Sequence, residues 1–145
     1  LNSTALEHLP HRYPMRLPDR VTHLEPGVSI TLEKRLSADD VFCAPGASGP
    51  CPEMLLVELC AQTAGLLNRQ DADAPPRPGM LCAIPEFTFH RRVQAGDTLI
   101  VEASAEGELG PLFSIRCRIT CKGEECAAGR LTLYVRTSPA NDRLP

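Results

Sequence analysis

The chain has 145 residues, enough for one domain with a real core, and a formal net charge of −3 at neutral pH. It has no basic run, no tryptophan and only 4% aromatic residues, so phosphate neutralisation and base stacking both lack their residues and nucleic acid is excluded as a partner. The seven cysteines (43, 51, 60, 82, 117, 121, 126) form no C-x-x-C, and of the histidines at 8, 11, 23 and 90 only the first two are closely spaced, so no metal site is expected.

Several of those thiols fall on apolar faces, where free cysteine behaves as a small hydrophobe, and all are read as reduced in a cytoplasmic protein. No charged segment precedes an apolar run at the start of the chain, so no leader is expected.

In chain order, Thr4-Ala5-Leu6-Glu7 fits a capping box and predicts a short helix before Pro10. The stretch Leu9 to Arg20 holds three prolines (Pro10, Pro14, Pro18), which demand an extended, irregular path. Arg20 to Glu25 reads as a strand and Pro26-Gly27 as a turn. Val28, Ile30 and Leu32 then alternate with polar residues in a second strand, completing a hairpin. A Pro-rich loop runs from Ser37 to Pro52, and a second loop from Asp71 to Gly79.

Between those loops lies the longest apolar run of the chain, residues 54–67, which predicts a helix too short to span a membrane. Glu58 and Gln62 interrupt it four residues apart and so share one helix face, with Thr63 beside them. A carboxyl group among Leu, Val and Cys costs several kcal/mol unless it is paired or protonated. From the helix alone, Glu58 reads equally well as a hydrogen-bonded structural carboxyl or as a site acid suited to proton transfer.

The C-terminal half alternates strictly. Phe87 and Phe89 begin the pattern, the turn Ala95-Gly96-Asp97 follows, and Leu99, Val101, Ala103 and Ala105 share one face. Phe113, Ile115, Cys117, Ile119 and Cys121 share another, as do Leu131, Leu133 and Val135. Such patterning predicts an antiparallel sheet with one wet and one dry face, and the helix at 54–67 is the only wholly apolar cover. An α+β domain therefore follows, a bent sheet wrapped around one long central helix. It occupies residues 1–145 as a single unit, with a flexible tail over 138–145.

Three segments together resemble the 3-hydroxyacyl-acyl-carrier-protein dehydratases of the FabA/FabZ type, closer to FabZ. They are Leu9-Pro10-His11-Arg12-Tyr13-Pro14 with Asp19-Arg20-Val21, Glu58-x-x-Ala61-Gln62-x-x-Gly65, and His90-Arg91-Arg92-Val93-Gln94-Ala95-Gly96-Asp97. The likeness runs from about Leu9 to Arg136 and implies the hot-dog fold. It also implies removal of water from a 3-hydroxyacyl thioester carried on acyl-carrier protein or CoA, with no cofactor. In that chemistry a His takes the proton alpha to the thioester, a helix acid handles the departing hydroxyl, and backbone N–H groups at the helix start polarise the carbonyl.

Glu58 matches the family's acid, with Gln62 one turn on, and the N–H groups near Glu53 and Met54 match the helix-start donors, although the family has Gly at the position of Glu53. Arg91 and Arg92 are candidates for meeting a carrier's acidic helix or phosphopantetheine phosphate. The His is missing. The family carries it in a Gly-His-Phe-Pro-Gly loop fourteen residues before the acid, a position held here by Ala44, and no His lies between His23 and His90. His11 belongs to the opening motif and His90 to a strand rim.

The resemblance places each active site at a dimer interface. A chain with Glu58 and no His is expected as a homodimer, or as a heterodimer that completes a site with a His-bearing dehydratase homologue. The alternatives are a hot-dog thioesterase, in which a helix Glu activates water, and a non-catalytic subunit that binds acyl chains or carrier protein.

Overall fold

The computed structural model describes residues 3–40, 42–43, 49–69 and 74–136. Its elements are helix α1 (Ser3–Glu7), strands β1 (Arg20–Glu25) and β2 (Ser29–Arg35), helix α2 (Glu53–Leu67), and strands β3 (Gly79–Phe89), β4 (Thr98–Leu109), β5 (Leu112–Cys121) and β6 (Glu124–Val135). The six strands form one antiparallel sheet in the order β1-β2-β4-β5-β6-β3, and α2 packs across its concave face. This is the sheet wrapped around one helix that the patterning predicts, and the hot-dog arrangement that the resemblance implies. No helix among the described residues is long and apolar enough to cross a membrane.

The alternation decides which side is dry. Ile30 and Leu32 of β2, Leu99, Val101 and Ala103 of β4, Ile115, Cys117, Ile119 and Cys121 of β5, and Leu131 and Val135 of β6 are all buried beneath α2. Ala105 is exposed although it stays in register with Ile115, and the β4–β5 register shifts only beyond it, between Ala105 and Gly107. α2 contributes Leu56, Leu59, Cys60, Thr63, Ala64, Leu66 and Leu67, with Cys60 and Ala64 small enough to let the helix approach the sheet. The Thr63 hydroxyl donates to Leu59 O at 2.6 Å, so its polar group is satisfied within the helix. The hairpin turn between β1 and β2 uses Gly27 at φ +71°, and its N–H donates to Leu67 O at 3.0 Å, capping the last turn of α2.

Three sequence expectations change. β3 starts at Gly79, well before the alternation that begins at Phe87, and it is an edge strand paired only with β6. Pro85 hides it in the sequence. A proline is tolerated there because an edge needs fewer N–H donors and the register slips between Leu81 and Glu86. α1 begins at Ser3, one residue before the Thr4 that the pattern puts at its cap.

The third change concerns the thiols. Cys43 and Cys51 form a disulfide with Cα atoms 4.7 Å apart, so the seven cysteines are not all reduced. Backbone pairing brings the two together: Cys51 N–H donates to Val93 O at 2.7 Å, and Cys43 N–H donates to Asp40 O at 2.9 Å in a turn. Cys60, Cys82, Cys117, Cys121 and Cys126 remain free. The Cys60 thiol is pushed well up, first by its hydrogen bond with Cys117 and then by burial, as befits a core hydrophobe.

Candidate active site

One side of α2 carries Met54, Glu58, Ala61 and Gly65, spaced so that they form one stripe. None of the four is buried, and Met54 is 62% exposed. Beside Glu58, Ala61 and Gly65 of this stripe lies an open cavity of about 400 Å³, lined also by the 8–11 segment, by residues 76–81, and by Leu133 and Val135 of β6. Its wall is mostly apolar, with Glu58 and Gln62 among its polar members. The sequence expects an apolar helix with hardly a solvated face. Among the described residues this stripe is instead only partly covered, and Glu58, with about one third of its side chain exposed, sits in it.

Glu58 is paired, which removes the cost of an isolated carboxyl. Gln62 donates from Nε2 to Glu58 Oε1 at 2.7 Å. The same amide group donates to Met15 O at 2.7 Å, and its oxygen accepts the Leu17 N–H at 3.0 Å. Gln62 is thus nearly fully buried and ties the proline-rich opening segment to the helix while orienting the acid. This explains physically why Leu9–Pro14 and Glu58-x-x-Ala61-Gln62 occur together. The irregular segment has backbone groups that no ladder satisfies, and Gln62 satisfies two of them.

The opening segment also delivers His11, whose Nε2 lies 3.6 Å from Glu58 Oε1. The sequence alone places His11 only in the opening motif, because nothing local reveals a contact across 47 residues of chain. The one available signal was that both residues belong to motifs of the same resemblance.

At the helix start, Pro52 is the N-cap and provides no side-chain cap. The Glu53 and Met54 N–H groups have no acceptor among the described residues, while Leu55 N–H returns to Pro52 O at 3.0 Å. The Glu53 side chain is exposed. Pairing of Pro50 with Gln94 and of Cys51 with Val93 O fixes this end of α2 beside the segment that carries Arg91 and Arg92. Arg91 faces Asp97 at 3.7 Å and Glu124 at 3.9 Å, whereas Arg92 is exposed. His90 is half-exposed and 3.2 Å from Glu125, a rim residue as expected. Ala44, the position of the absent His, lies outside the described residues, as does the tail over 138–145. Among the described residues no group of His, Cys, Asp and Glu has the arrangement of a metal site.

A concave antiparallel sheet packed on one long helix defines a protein of the hot-dog fold, here with a helix glutamate beside an apolar cavity. A family model for the ApeP-like dehydratases matches residues 4–143, and the chain belongs to that family. It is 34% identical over 137 residues to the 3-hydroxyacyl-[acyl-carrier-protein] dehydratase FabZ of Polynucleobacter necessarius subsp. necessarius (strain STIR1), covering 93% of this chain and 92% of the relative. Among solved structures it resembles a chain of the dehydratase heterocomplex ApeI:P from Xenorhabdus doucetiae, with a TM-score of 0.75 and 22% identity over 92% of this chain and 91% of that one. A hypothetical thioesterase with coenzyme A from Streptococcus pneumoniae TIGR4 shares the fold at a TM-score of 0.66 and 13% identity, covering 81% and 84% of the two chains.

Proposed function

We propose that this protein acts on 3-hydroxyacyl thioesters as half of a dehydratase, supplying the acid from Glu58 to a site that a His-bearing homologue completes. The observation that carries the reading is the Glu58–Gln62 pair opening on an apolar cavity in a chain with Ala at the base position. The similar chain from a dehydratase heterocomplex supports it. So does the open edge of β3, where Met80, Leu81 and Ile84 are 64%, 41% and 41% exposed. An unpaired strand edge with apolar side chains is suited to a partner's strand, either a homologue's or a second copy's. The carrier is acyl-carrier protein or CoA, in the cytoplasm.

In this mechanism the partner's imidazole removes the alpha proton, and the C–H electron pair moves into an enolate. The N–H groups of Glu53 and Met54 stabilise its oxygen, since donors at a helix start cost no reorganisation as the charge develops. The enolate then expels the beta hydroxyl, which takes a proton from Glu58 and leaves as water. The product is a 2-enoyl thioester, and the proton taken by the imidazole balances the one lost by Glu58. Arg91 and Arg92, beside the helix start, guide the anionic carrier.

The deciding experiment is reconstitution. The purified homomer should show little or no dehydration of 3-hydroxyacyl thioesters, because general-base catalysis is typically worth about 10²–10⁴-fold. Mixing with a His-bearing homologue should form heterodimers and restore turnover. Robust dehydration by the homomer would overturn the reading. Heterodimers that gain nothing, tested alongside acyl-CoA hydrolysis, would point instead to the thioesterase or to a binding subunit.

A further inference from the structure

The partner-completed reading uses Glu58 and leaves His11 without a task, although His11 lines the same cavity. Its Nε2 approaches Glu58 Oε1, the oxygen that already accepts the Gln62 amide, while Oε2 has no hydrogen-bond partner among the described residues. The other ring nitrogen, Nδ1, is buried and has no hydrogen-bond partner among the described residues. A proton on Nδ1 would be a buried, unpaired donor, whereas a proton on Nε2 faces the acceptor oxygen Oε1 of Glu58. The second placement is the favoured one.

The segment that carries His11 is held in place around it. Arg12 Nη1 donates to Leu9 O at 2.6 Å and to His11 O at 2.9 Å, bracing the backbone on both sides of Pro10. Gln62 holds the same segment at Met15 and Leu17. Imidazole, carboxyl and amide are therefore parts of one braced unit built across the opening loop and α2.

We infer that His11 is a positioning residue for the helix acid. As the Nε2–H tautomer it shares with Gln62 the task of holding Glu58 Oε1, so that Oε2 is the oxygen that exchanges a proton with substrate. At 3.6 Å the contact is longer than a hydrogen bond and closes to one when substrate fills the cavity. This inference rests on the assignment of Glu58 as the acid.

The test has two arms, and the first needs no activity. Nitrogen NMR of the labelled imidazoles at mildly alkaline pH, with His11 assigned through His11→Gln, should show protonated Nε2 and bare Nδ1. Glu58→Ala should relax that signal towards a mixture of tautomers. Protonated Nδ1 in the wild-type protein, or no response to Glu58→Ala, overturns the inference. The second arm measures turnover with a His-bearing homologue. His11→Ala should lower kcat about tenfold with KM changed less than about twofold, the pattern of a lost transition-state contact. His11→Gln, whose Nε2–H reaches the same place, should recover most of the loss. Equal losses in both variants, or a change in KM alone, would count against His11. Wild-type protein that gains no turnover from the homologue would defeat the half-site reading, and the tautomer measurement would still decide the role of His11.

Discussion

The two long sides of α2 come from the same fifteen residues and obey different demands. On the sheet side Leu56, Leu59, Cys60, Ala64 and Leu66 are at most 1% exposed, and each is replaceable by another apolar residue of similar volume. On the cavity side Glu58, Ala61 and Gly65 are only partly covered by the described residues, and the one charged residue is fixed by hydrogen bonding rather than packing. The contrast teaches that burial specifies the fold while a small set of polar contacts specifies the site. The two sides should accordingly fail in different ways when substituted.

The sharpest separation comes from one adjacent pair. Glu58→Gln should cut the turnover restored by a His-bearing homologue by about 10²–10⁴-fold, since it removes the acid. Its effect on stability should stay within about 0.5 kcal/mol, as for other partly exposed sites. Leu59→Ala should do the reverse, costing about 2–5 kcal/mol of stability for a core leucine, while folded protein keeps its acid in place. Denaturant melts and steady-state rates on both variants check this. A large stability loss from Glu58→Gln would break the distinction between the two sides.

Gln62 is where the two sides meet, so Gln62→Ala should move both readouts. It leaves the Leu17 N–H and Met15 O without their partner, at about 1–3 kcal/mol for buried polar groups, and it frees the Glu58 carboxyl. A variant that loses activity at unchanged stability would show that the opening segment does not depend on this amide.

A smaller effect tests the sheet's outer face. Arg130, hydrogen-bonded to Glu106, and then Arg116 hold its carboxyl below the ordinary value of 4.5. A carboxyl lowered on folding contributes stability above its unfolded value and loses it as pH falls through the lower, folded one. The unfolding temperature should therefore decline as the pH falls below the ordinary carboxylate range, and Glu106→Gln should flatten that decline. Glu33, lowered by Arg35 and then Arg20, adds to the same slope. The smallest expected effect is charge reversal at Arg91 and Arg92. It should slow carrier association several-fold at low salt and hardly at all at high salt, because such steering is screened. Unchanged association at low salt would leave these two as a solvated strand end.

Much of this molecule is legible in its sequence. Period-two alternation in β4, β5 and β6 and the single apolar run at 54–67 are local patterns, and burial of one face leaves few ways to assemble them. Glu58 and Gln62 stand out for a related reason, as polar residues in an apolar run. Contacts between distant segments had no such local signal. The start of β3 at Gly79 was hidden because a proline sits in a strand whose edge position only the assembled sheet reveals. The Cys43–Cys51 disulfide depends on backbone pairing with Val93 rather than on cysteine spacing.

By itself, then, the sequence determined the fold class and the central helix and singled out Glu58 in it, because periodicity and a charge in an apolar run are read within a few residues. Tertiary structure alone decided what the acid is held by. It brought the opening segment onto α2, gave Gln62 its two backbone partners and set His11 beside Glu58. Those contacts span more than forty residues, and only closure of the sheet around the helix makes them.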